Sequence, residues 1–65
     1  MTYQQRIATI APDFDPASIE AWMRADHSTL DALTDDQFRE AALESAQCVL
    51  EHPDLTVELR RTFGL

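Results

Sequence analysis

Sixty-five residues, a formal net charge of −7 at pH 7 and one cysteine leave room for a single small domain. A mass of 7.4 kDa corresponds to about 4,200 Å² of folded surface against roughly 10,700 Å² for the extended chain, which is too little buried volume to enclose a large catalytic cavity. The charge opposes contact with nucleic-acid phosphates and anionic lipid, so neither nucleic acid nor membrane is expected as a direct partner.

Thr2 to Ala11 places Tyr3, Ile7, Ile10 and Ala11 on one face, the spacing of a short amphipathic helix that Pro12 stops. The same stretch carries Arg6 and no continuous apolar core, unlike a secretory leader. Asp15-Pro16 reads as N-cap plus N1 of a second helix running to about Asp26. There the carboxylate is expected to accept a free backbone N–H, and proline loses nothing at N1. Ile19, Trp22 and Met23 would point inward, and Glu20 and Arg24 would form an outward i,i+4 pair. Phe14 at N′ and Ile19 near N4 are placed for a hydrophobic staple.

His27-Ser28-Thr29 breaks the pattern, and Thr29 to Leu33 is expected to make one turn with Leu30 and Leu33 on the core. Thr34 with Gln37 three residues on is a capping box. It opens the longest helix, Asp35 to about His52, ended by Pro53. On a wheel its apolar residues Phe38, Ala41, Ala42, Leu43, Ala46, Cys48, Val49 and Leu50 cover roughly 220°, more than a helix lying on one neighbour needs. Asp54 or Thr56 would cap a last helix in which Leu55, Leu59 and Phe63 align at i, i+4, i+8. Arg60 and Arg61 suit the dipole of its final turn, and Gly64 suits C′, with Leu65 packing back. The expected fold is all-α: a small single-domain bundle, residues 1–65, of three to four short helices around one long central helix at about 35–52.

No catalytic, cofactor-binding or metal-ligating set emerges. A lone glycine cannot build a phosphate loop, and His27 and His52 lack a ligand spacing such as H-x-x-x-H. A histidine ending a helix is more simply a cap that complements the dipole. Cys48 lies mid-helix among core positions, away from any helix N-terminus or base that would stabilise a thiolate. Ser28 is flanked by His27 and Thr29 and so lacks the Asp-Ser-Leu of phosphopantetheine carriers. A non-enzyme without cofactors is therefore expected.

Two features suit binding. Asp36, Glu40, Glu44 and Glu51, joined by Gln47 and flanked by Arg39, form one acidic ridge on the long helix. Trp22 and Met23, with Phe14 and Phe63, are of the types enriched at interfaces. The first expectation is a non-catalytic protein–protein interaction module, a small acidic regulator or accessory subunit with a basic protein partner. The alternative is a nucleic-acid-mimicking inhibitor of the phage counter-defence kind, because side chains at i and i+4 recur about every 6 Å, close to phosphate spacing. A homodimer through the long helix would cover the wide apolar arc. One unpaired cysteine and the lack of any ~18-residue apolar run predict a cytoplasmic protein. Five arginines without a lysine, alongside abundant alanine and aspartate, read as the coding bias of a GC-rich bacterial or phage genome. The initiating methionine and the lack of any tag suit a complete small reading frame.

Overall fold

The computed structural model covers residues 1–65. It contains four α-helices, α1 (Tyr3–Ile10), α2 (Pro16–Asp26), α3 (Asp35–Glu51) and α4 (Pro53–Phe63), with a 3-10 turn at Leu30–Ala32 between α2 and α3. There are no strands, and the accessible surface is 4203 Å², the value that mass scaling anticipates. The chain is an all-helical bundle.

The helix ends follow from local chemistry. Thr34 Oγ1 accepts the Gln37 N–H at 3.2 Å, while the Gln37 side chain accepts the Thr34 N–H at 2.9 Å. Thr2 and Gln5 do the same for α1, at 3.1 and 2.8 Å, so both boxes satisfy two orphan donors each. Asp15 departs from expectation. Its carboxylate caps no backbone N–H of α2. Instead it accepts the Ser18 hydroxyl at 2.9 Å and pairs with Arg60 of α4 at 3.2 Å, because a charged partner competes better for it than an amide does.

Neither Asp54 nor Thr56 caps α4, which begins at Pro53 with His52 as the residue between the two helices. Proline ends α3 because it has no N–H to donate, and its fixed φ suits N1 of the next helix. At the far end Gly64 adopts φ +69°, Leu65 N–H reaches the Arg60 carbonyl at 2.8 Å and Gly64 N–H reaches that of Arg61 at 3.3 Å. This is a Schellman ending, and glycine takes its left-handed position without the strain that most side chains incur there.

The apolar core joins Ile7 and Ala11 from α1, Ile19 and Met23 from α2, Leu30 from the turn, and Phe38, Ala41, Ala42 and Ala46 from α3. Three alanines on α3 let neighbouring backbones approach closely. Both α2 and α3 touch all three other helices, so the shorter α2 shares the centre with the long helix. The Glu20–Arg24 pair forms at 2.7 Å but does not face outward: Glu20 is 5% exposed. Arg24 lies over the Tyr3 ring of α1, which in turn stacks on Phe38. The Tyr3 hydroxyl donates to Asp31, and that hydrogen bond, first among the causes, holds its proton and raises its pKa.

The arc of α3 is wider than its neighbours cover, as its breadth implied: Leu43 and Leu50 remain exposed and Cys48 is half-buried. One apolar expectation needs correction. The stripe Leu55, Leu59, Phe63 does not line the core: Leu55 and Phe63 are exposed, Leu59 is half-buried, and Thr56 is the one buried residue of α4. The reason for that rotation lies in Trp22.

Candidate interaction surface

Trp22 is half-buried where α2, α3 and α4 meet. Its indole N–H donates to Thr56 Oγ1 at 2.8 Å, and the Thr56 hydroxyl donates to the His52 carbonyl at 2.8 Å. The His52 imidazole sits against the indole, with ring centroids 6.0 Å apart. A partly desolvated indole N–H needs an acceptor, and turning Thr56 toward α2 supplies one while Leu55 goes to the surface. Trp22 is thus engaged within the chain as a strut between helices. Met23 is corrected outright: it is 0% exposed and cannot touch a partner.

The strut carries a stability prediction. Thr56→Val keeps the volume and removes the acceptor, so it is expected to cost about 1–3 kcal/mol in a urea titration, while Thr56→Ser should retain most of the stability. A valine variant as stable as the parent would mean that the bond contributes nothing.

The acidic ridge stands as the spacing implied. Asp36, Glu40, Glu44, Gln47 and Glu51 are all exposed along one side of α3, within roughly 80° of arc at 100° per residue. None of the four carboxylates makes a salt bridge, and the one contact inside the ridge is Gln47 Nε2 donating to Glu51 Oε1 at 3.2 Å. The arginines are engaged elsewhere: Arg6 with Asp35 at 3.3 Å, Arg24 with Glu20, Arg60 with Asp15, and Arg61 with Glu58 at 3.3 Å. Arg39 alone is left exposed and unpaired. Leu43 and Leu50, 47% and 64% exposed, run beside the ridge. The wheel already put both leucines at the edge of the apolar arc next to glutamates, and that was the signal by which they could have been assigned to the surface.

The two histidines do not converge. His27 lines a shallow cleft with Leu33, Gln37, Glu40, Ala41 and Glu44, whereas His52 lies at the α3–α4 junction against Trp22. No three His, Cys, Asp or Glu side chains are grouped to hold a metal ion. Burial, first among the causes, and the nearby carboxylates of Asp26, Glu51 and Glu44 push the Cys48 thiol pKa up, away from the reactive thiolate. The largest cleft, about 300 Å³, opens to solvent between α1 and the start of α3, with Ile10, Phe38, Arg6 and Asp35 among its walls. No helix is long and apolar enough to cross a membrane. The chain matches no known protein family, no curated protein and no solved structure.

Proposed function

We propose that this chain is a non-catalytic protein–protein interaction module, a small acidic regulator or accessory subunit working in the cytoplasm of a bacterium or encoded by a phage. The observation that carries this reading is the exposed side of α3, where two leucines adjoin four carboxylates that make no salt bridge, with Arg39 as the single cation beside them. Such a surface suits a protein partner that offers apolar contact and positive charge together. A second reading, a nucleic-acid mimic, draws on the same unpaired ridge. Glu40 and Glu44 repeat at about 6 Å along the axis, and a basic groove shaped for phosphates would accept them.

Affinity capture from host lysate, washed at low and then at high salt, separates the two. A mimic is expected to lose its partner at high salt and to lose it entirely on Glu40→Lys with Glu44→Lys, at unchanged helicity. An interaction module is expected to keep part of its partner through the high-salt wash. A lysate that yields no partner at either salt would overturn both readings.

A further inference from the structure

We infer that the α3 face carrying Leu43 and Leu50 is the docking site for a basic amphipathic helix of a partner protein, in preference to a second copy of this chain. The inference rests on the interaction reading above and gives it a surface and a partner chemistry. Leu43 and Leu50 are seven residues apart, which is two turns, or about 10.5 Å along the axis, on one side of the helix. Ala46 between them belongs to the buried core, so the two leucines are the apolar part of this face that a partner can reach. Leucines at i and i+7 recur on one side of a helix at the spacing by which another helix is received.

Area and charge then select the occupant. A stable interface takes about 800 Å² from each partner, close to a fifth of this chain's 4203 Å². Two half-exposed leucines fall far short of that, so any lasting partner must also cover their neighbours on α3. Those neighbours are Arg39, Glu40, Glu44, Gln47 and Glu51, all exposed, so one guanidinium faces three carboxylates and none of them is bridged. Covering a carboxylate without supplying a counter-charge is unfavourable, because the ion loses water and gains nothing in return. The partner must therefore bring Lys or Arg on the flank of its apolar seam.

A second copy is poorly equipped for this. Four of its five arginines are held in ion pairs within the chain, leaving Arg39, and it adds another net charge of −7. Like charges brought together across an interface work against it.

The test uses the full chain, isotopically labelled for amide NMR, with two synthetic helical peptides that share a leucine seam. One carries lysines on its flanks and the other glutamates. Sedimentation of the chain alone is run alongside. The expected result is a monomer whose amides over residues 39–51 shift with the lysine peptide and not with the glutamate peptide. Its affinity should fall about tenfold or more from low to high salt. It should fall about as much in Leu43→Ser with Leu50→Ser, whose helicity should be unchanged because both positions are exposed. Leu50→Ser alone serves as the milder variant if the pair proves less stable. No shifts, equal binding of both peptides, or shifts mapped elsewhere would overturn the inference. So would a concentration-dependent dimer that the serine variant abolishes, which makes a second copy the occupant. A lysate partner captured equally well by the serine variant removes this face and leaves the interaction reading intact. A lysate that yields no partner removes that reading and the docking face with it.

Discussion

Phe38→Ala is expected to leave the chain largely unfolded at room temperature or close to its unfolding midpoint. Phe38 is 1% exposed, its ring centroid lies 6.1 Å from that of Tyr3, and the Arg6 guanidinium sits 3.8 Å above it. Removing a buried phenylalanine from a core typically costs about 3–5 kcal/mol. A chain of this length has a total stability of roughly 3–10 kcal/mol. One substitution therefore threatens half or more of the whole. The loss should be larger than transfer alone implies, because Tyr3 and Arg6 both rest on that ring and α1 has Ile7 as its one buried residue within the helix. Circular dichroism through a urea titration reads the outcome, and Phe38→Leu should recover much of the loss by refilling most of the volume. An alanine variant with the parent's midpoint would show that this ring does not anchor α1 to α3.

Met23→Ala ranks next. Met23 is fully enclosed, packed in the cluster with Ile19 of its own helix and the alanines of α3. Truncation there is expected to cost about 2–5 kcal/mol. Met23→Leu, which nearly conserves volume, should cost less than about 1.5 kcal/mol. The pair of variants decides between two roles that sequence alone left open. A recognition methionine would lose binding on truncation at unchanged stability. A core methionine loses stability first, and the urea midpoint should fall with little change of slope. A midpoint that does not move in the alanine variant would contradict the burial seen here.

Those two residues mark how far sequence reasoning reached. Phe38 was placed correctly because it begins an unambiguous 3.6-residue pattern just behind a capping box, and both signals are local. The four helices, the turn at Leu30 and the glycine ending are likewise products of nearby residues, so they could be read within a turn or so of their final limits. For Met23 and Trp22 the spacing gave the inward placement that the structure has, while residue type pointed to an interface. Their neighbours come from α3 and α4, and composition cannot tell an aromatic-rich patch on the surface from one folded against another helix. Glu20 shows the same thing from the polar side. Its i,i+4 partner is local and was found, but the face on which the pair lies depends on where α1 docks. Thr56 is the clearest case: a helical wheel favours burying Leu55, Leu59 and Phe63, and only the distant indole of Trp22 explains why a hydroxyl is buried there. The acidic ridge was legible in full, since exposure of five polar residues on one side of an amphipathic helix needs no long-range information.

The last helix has a standing of its own within the molecule. The buried apolar cluster draws on α1, α2, the turn and α3, and α4 contributes no side chain to it. Helix α4 packs against α2 and α3 with Thr56 buried and Leu59 half-buried, and is tied by the indole bond to Thr56 and an ion pair to Asp15 whose two side chains are 40% and 50% exposed. An exposed pair of that kind is worth at most about 1 kcal/mol. Apolar burial and cooperative packing set the free energy of opening, so α4, outside the apolar cluster, is expected to open at lower cost than α2 and α3. Amide hydrogen exchange checks this: the amides of α4 are expected to exchange before those of α2 and α3, and equal protection would show that the four helices open together. With that order of opening, the Trp22–Thr56 bond would be the latch that holds the last fourteen residues to the apolar body of the protein.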